Sequence, residues 1–176
     1  LLGQARDLPD PLTLAAGFAD PARGVEMPED ALAGASDIVA ETVSDDAAVR
    51  KALRSLMQRQ SVLRTQAAKG KEEETSVYQL YYDFRQPVSR LQGHQILAIN
   101  RGEKEEKLKV TVLLDRDLAL PVLRRAVVKP GSAAMEFVKA TAEDSYDRLI
   151  FPSLEREIRA ALTDRADELS LIHISE

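Results

Sequence analysis

Cysteine and tryptophan are both absent from this chain of 176 residues. Without cysteine there is no disulfide, no thiolate metal site and no cysteine nucleophile, which fits a reducing compartment. Aromatic residues reach only 5%, so Leu, Ile, Val and Ala must form most of the core. No apolar run approaches the roughly 18–20 residues that cross a bilayer. Leu1-Leu2-Gly3 also lacks a basic n-region, an apolar h-region and an initiator Met. The expectation is a cytoplasmic chain with no membrane contact, whose translation begins upstream of Leu1. A global excess of positive charge is missing too. The net charge is −5, so any contact with a polyanion must come from a local patch.

Hydrophobic residues at 44% and charged residues at 30% give the balance of a folded globular chain. The length suits one ordinary domain or a cluster of two small helical ones. Pro9, Pro11 and Pro21 bracket a short helix carrying Leu12, Leu14 and Phe18. A longer helix begins at Pro28, where Glu29 and Asp30 suit the positive end of its dipole. Leu32, Ala35, Ile38, Val39 and Val43 follow at helical spacing. Ser44 is the expected N-cap of the next helix, which buries Val49, Leu53, Leu56 and Met57 and then either frays or continues towards Thr65. Lys69-Gly70-Lys71 and Glu72–Glu74 read as a solvated loop, and Tyr78, Leu80, Tyr81, Tyr82 and Phe84 gather most of the aromatic content before Pro87.

Ile96, Leu97 and Ile99 lie on another short helix, with Asn100-Arg101-Gly102 as its expected stop. Leu108, Val110 and Val112 alternate with polar neighbours, which predicts a strand. One strand is not stable alone, so a partner is expected around Val62–Thr65 or elsewhere in a longer chain. Residues 117–128 read as a helix with Pro121 in its first turn. Ser132 caps a long helix reaching Ile150, Pro152 interrupts it, and Ser153 restarts it with Leu154, Ile158 and Leu162 stacked at i, i+4, i+8. No internal repeat is present. The fold class is mainly α, a multi-helix scaffold with a minor β element near residues 107–113.

The last eight residues, Leu169 to Glu176, turn from a charged amphipathic pattern to an apolar, β-prone one. They resemble the translation of a transposase mosaic-end adapter, so the expectation is a native region over 1–168 followed by an adapter-derived tail over 169–176. His173 is accordingly set aside as a ligand or catalyst.

Motifs for chemistry are few. Lys69-Gly70-Lys71 lacks the first glycine and the Ser/Thr of a phosphate-binding loop. A serine triad would need His94 as its base, with no nucleophile elbow to serve. Glu72–Glu74 and Glu103, Glu105 and Glu106 offer oxygen ligands for a hard cation, but consecutive acids point apart and read better as solvated charge. The Tyr78–Phe84 cluster either stacks bases or packs in the core. No cofactor and no enzymatic activity are expected. The informative feature is a run of cations without an acid between Ala47 and Lys71, namely Arg50, Lys51, Arg54, Arg59, Arg64, Lys69 and Lys71. Arg50 and Arg54 stand one helical turn apart. Such a cluster contacts phosphates in a salt-sensitive way, or forms the solvated back of a helix.

Two longer runs carry a resemblance. His94-Gln95-Ile96-Leu97-Ala98-Ile99-Asn100-Arg101-Gly102-Glu103-Lys104-Glu105, followed by Leu108-Lys109-Val110, resembles the His-x-x-Leu-Ala-x-x-Arg-Gly-x-x-Glu segment of the bacterial Tex family. Glu143 to Ile150, then Pro152 to Arg159, is similar to a later helix pair of that family. Ala31 to Arg50 and Tyr78 to Pro87 fit in order and spacing, with Gln95 standing where Arg is usual and Phe151 where Ala is usual. The resemblance implies a helical region of a cytoplasmic transcription accessory protein, lying ahead of an RNase-H-like domain, helix-hairpin-helix elements and an OB-fold RNA-binding domain. It implies partnership with RNA or DNA through that longer protein, and with the transcription machinery. No catalytic residue of the family maps onto this chain. The function expected is a structural, nucleic-acid-associated segment that scaffolds the binding domains; the alternative is a protein–protein docking module.

Overall fold

A computed structural model describes residues 1–24 and 27–174. The chain divides into two units, Leu1–Leu53 with Asp117–Ser153, and Arg54–Arg116 with Leu154–Glu176.

The first unit is helical. Helix α1 (Pro11–Ala16) begins where the Asp10 carboxylate accepts the Leu12 N–H at 3.0 Å and Pro11 supplies a preset first-turn φ. Helix α2 (Pro28–Asp45) starts at Pro28 as expected. The Asp30 carboxylate accepts from the Met27 N–H at 3.1 Å. The start of α3 (Ala47–Gln60) differs from expectation. Asp46 rather than Ser44 is the N-cap, with extended backbone and a side-chain oxygen 2.9 Å from the Val49 N–H. Ser44 remains inside α2, two residues before the position that caps α3.

Helices α5 (Arg116–Val127) and α6 (Met135–Ser145) complete this unit, with the first residues of α7 (Phe151–Ile174). Val39, Ala40 and Val43 of α2 and Val138 and Ala142 of α6 are buried. Two hydroxyl bridges cross between α2 and α6, Ser145 Oγ donating to the Ala40 carbonyl at 2.6 Å and Ser36 Oγ meeting Thr141 Oγ1 at 3.3 Å. Pro121 lies inside α5, not in its first turn. Its ring is exposed while Ala119, Leu120 and Leu123 are buried, so the disturbance falls on the solvent side. Gln4 adopts φ 49° and is buried. Its amide donates to the Val127 carbonyl and accepts from the Lys129 N–H, both at 2.6 Å. These paired bonds hold a backbone conformation that non-glycine residues seldom adopt.

Pro152 does not interrupt the helix that follows α6. Residues Tyr146–Ile150 form a π turn, and the Phe151 N–H donates to the Tyr146 carbonyl five residues back. The wider turn displaces the carbonyl that the proline ring would otherwise strike, and α7 begins at Phe151 with Pro152 in its first turn. It remains helical to Ile174, so residues 169–174 are helix and not the β-prone segment expected; Ser175 and Glu176 lie outside the described residues.

The second unit holds a three-stranded antiparallel sheet in the order β2-β1-β3, formed by β1 (Val62–Ala67), β2 (Asp83–Pro87) and β3 (Leu108–Leu113). The expected pairing of β3 with the Val62–Thr65 region is present, with Arg64 opposite Thr111 and Thr65 opposite Val110. Of the two endings expected for α3, the continuation towards Thr65 is absent: the helix ends at Gln60 and an extended strand starts two residues later. β-Branched Val62 and Thr65 favour that choice. Strand β2 lies on the far side of β1, with Arg64 opposite Arg85 and Thr65 opposite Phe84.

Helix α4 (Gly93–Lys104) runs through Gly102 instead of stopping there. Gly102 is buried, and a Cβ at this position would sit 2.5 Å from Leu108 Cδ1 and 3.1 Å from Tyr78 Cδ1. This glycine therefore serves close packing. The stop comes at Glu106, with φ 57°, where the Lys107 N–H donates to the Gly102 carbonyl at 2.9 Å. That six-to-one bond closes the helix in the usual left-handed manner, although glutamate seldom holds the position.

Candidate nucleic-acid interface

The boundary between the units falls at Leu53/Arg54, inside the acid-free stretch. Arg50 and Lys51 belong to the first unit; Arg54, Arg59, Arg64, Lys69 and Lys71 belong to the second. Their surroundings differ sharply. Arg50 donates to the Ser44 carbonyl at 3.1 Å and to Ser153 Oγ at 2.6 Å, which ties α3 to the end of α2 and the start of α7. Arg54 forms a 2.8 Å ion pair with Glu157, and Arg59 donates to the Ser55 carbonyl one turn back at 3.2 Å. Lys71 pairs with Glu74 at 3.0 Å. Lys51 and Lys69 are exposed and hold no ion pair among the described residues.

Arg64 has a different setting. Strand alternation turns Leu63 and Thr65 inward, both buried, and sends Val62, Arg64 and Gln66 to the opposite face. The registers extend that face into three rows. Pro87, Val62 and Leu113 form an apolar row; Arg85, Arg64 and Thr111 form the next; Asp83, Gln66 and Lys109 form the third. Arg64, Arg85 and Lys109 hold no ion pair among the described residues. Arg85 and Lys109 escape a search for clustered charge because they are remote from Arg64 in the chain. Only the pairing of three strands brings them together.

The other candidate chemistry is engaged in structure. Tyr78 and Tyr81 are buried, and Tyr81 meets Phe84 edge-on with centroids 5.2 Å apart, which supports core packing for the aromatic cluster. Leu80, in the same cluster, is 77% exposed. Burial, followed by a hydrogen bond with Glu105, pushes the Tyr78 hydroxyl above its ordinary pKa. Glu74 is held below the ordinary carboxylate range by Lys107 and then Lys71, and its pairing raises Lys107 in turn. Glu103 pairs with Arg159. No three His, Cys, Asp or Glu residues converge on a metal position among the described residues. His94 is exposed in the first turn of α4 and its imidazole makes no hydrogen bond among them. No helix among them is long and apolar enough to cross a membrane.

Similarity to known proteins covers almost the whole chain. A Bacillus subtilis protein designated YdcI is 38% identical over 150 residues, 84% of this chain and 21% of its own length. The human S1 RNA-binding domain-containing protein 1 is 30% identical over 98% of this chain and 19% of its own. Protein tex of Bordetella pertussis is 31% identical over 70% of this chain and 16% of its own. The chain thus spans about a fifth of the length of these curated relatives. Residues 7–172 match the family described as Tex central region-like, and the chain belongs to that family.

Proposed function

We propose that this chain is the supporting segment of a nucleic-acid-associated transcription accessory protein, adding phosphate contacts of its own through cations that have no internal partner. Family membership over residues 7–172 carries the reading. Among the relatives, one from Neisseria gonorrhoeae is named a transcriptional accessory protein and the human one an S1 RNA-binding domain protein. The packed helices of the first unit suit support. Lys51, Arg64 and Lys69, each without an ion pair, suit contact with phosphate. In this reading the segment binds and supports rather than catalyses, works in the cytoplasm, and meets RNA or DNA within the longer protein.

A second reading, docking of a protein of the transcription machinery, is favoured by one observation. Phe18 and Ile38 are 73% and 67% exposed beside a groove lined by Leu14 and Ala35 in the first unit. Titration of the chain with single-stranded RNA and with duplex DNA at two salt concentrations tests the main reading. Binding that weakens steeply with salt is the expected result; no salt-sensitive binding to either would rule out direct contact.

A further inference from the structure

The outward face of the sheet combines three features that charge counting along the chain does not reveal. Arg64 and Arg85 stand directly opposite each other on neighbouring strands. Like charges so placed are destabilising, and no carboxylate pairs with either among the described residues. An arrangement that costs stability without an internal partner is relieved by an external anion. Asp83 stands two residues before Arg85 on the same face, but the three cations Arg64, Arg85 and Lys109 outnumber it. Thr111, on the other side of Arg64, adds a hydroxyl able to donate and accept.

The second feature is the apolar row. Val62, Pro87 and Leu113 are half-buried and adjoin the arginine row, and with Arg85, Gln60, Gln86 and the carboxylate of Asp115 they line an open depression of ≈450 Å³. That volume admits a planar ligand such as a nucleobase. The third is size. Strands of five and six residues make a face roughly 17–20 Å long, which spans a few nucleotides.

We propose that this face binds single-stranded RNA: an unstacked base lies over Val62, Pro87 and Leu113, the neighbouring phosphate lies between Arg64 and Arg85, and Thr111 reaches the ribose 2′-hydroxyl. A duplex would offer phosphates but keep its base faces stacked inside, leaving the apolar row without a partner. Arginine is suited to both tasks, since its planar guanidinium bonds phosphate bidentately and stacks on bases. The inference rests on the nucleic-acid reading above and assigns it a surface.

The test is fluorescence anisotropy of the whole chain with a labelled ten-nucleotide RNA, the DNA of the same sequence, and the corresponding RNA duplex. Wild type is compared with Arg64→Gln/Arg85→Gln, with Val62→Ser, and with Lys51→Gln/Lys69→Gln; circular dichroism melts verify folding. Wild type is expected to bind the single-stranded RNA most tightly. The double arginine variant loses about tenfold in affinity, and its salt slope shrinks by about 1.4, the share of two phosphate contacts on a single strand. Val62→Ser weakens binding several-fold with no change in slope, a signature of lost base contact. Wild-type binding left unchanged by the arginine and Val62 substitutions would overturn this surface while leaving the broader reading intact. DNA or duplex bound as tightly as single-stranded RNA would overturn the choice of ligand. No binding by wild type at either salt concentration would overturn both this surface and the direct contact proposed above.

Discussion

Three helix arginines of the first unit are held by internal partners, whereas two strand arginines of the second unit face each other. In the helical unit, Arg50 clasps Ser44 and Ser153, Arg124 pairs with Glu143 at 2.5 Å, and Arg148 pairs with Asp144 at 2.6 Å. In the sheet-bearing unit, Arg54 and Arg159 are paired, yet Arg64, Arg85 and Lys109 share an outward face with no ion pair among the described residues. Clustering along the chain therefore says little about availability. A helix arginine can reach acids and carbonyls a turn away or on the next helix, as Arg50, Arg124 and Arg148 do, whereas a strand arginine stands beside its cross-strand neighbours. When one of those neighbours is another arginine, the charge is left for something outside the fold.

Substitutions of graded size test the packing and the charge pattern of each unit. The largest effect belongs to the packing that holds each unit. Leu123→Ala in the first and Ile99→Ala in the second remove side chains that are 0% and 1% exposed, each at a cost of about 2–5 kcal/mol, readable by urea denaturation. A loss below about 1 kcal/mol at either position would show that the surrounding packing is not as described. Gly102→Ala comes next, at about 1–3 kcal/mol, because the added methyl must displace Leu108 and Tyr78. A neutral outcome there would show that the packing of Leu108 and Tyr78 against Gly102 has room for a methyl group.

Smaller, and opposite in sign, is Arg85→Gln. Removing one of two facing like charges should stabilise the chain by about 0.2–1 kcal/mol at low salt, a gain that fades as salt rises; destabilisation would mean that Arg85 has a structural partner. The smallest effect is acid sensitivity around Glu74. Because Lys107 and Lys71 hold its pKa below the ordinary 4.5, its contribution is present above that value and is lost as pH falls through the lower folded value. Glu74→Gln should flatten that part of the stability profile. Lys107, raised above its ordinary 10.5 by the same pairing, contributes below that value and loses its contribution as pH rises through the folded one.

Much of the helical frame was legible in the residues themselves. Pro28 with Glu29 and Asp30 marked the start of α2, and alternation at Leu108, Val110 and Val112 marked β3 and implied its partner. Features that depend on tertiary context were not legible. Gly102 reads as a stop until Leu108 and Tyr78 are seen against it. Pro152 reads as a break until the π turn before it is seen. Strand β2 was hidden because Tyr81 and Phe84 read as a packed cluster and Pro87 as its end, when Pro87 is the last residue of an edge strand, a place that tolerates proline.

The candidate interface was legible only in part. Arg64 stood in the acid-free stretch, but its companions Arg85 and Lys109 belong to strands that follow long connections. Conversely, Arg50 and Arg54 looked alike at one-turn spacing, while the fold gives each its own internal partner. Spacing along one helix reports a shared direction; it does not report what waits there.

The most direct test of the contrast between the units is residue-resolved. Amide chemical shifts of the labelled chain would be followed as the ten-nucleotide RNA is added at low salt. The expected perturbations centre on Val62, Arg64, Arg85, Lys109 and Thr111, with α2, α5 and α6 unmoved. Perturbations centred on those helices, with the sheet silent, would contradict the account.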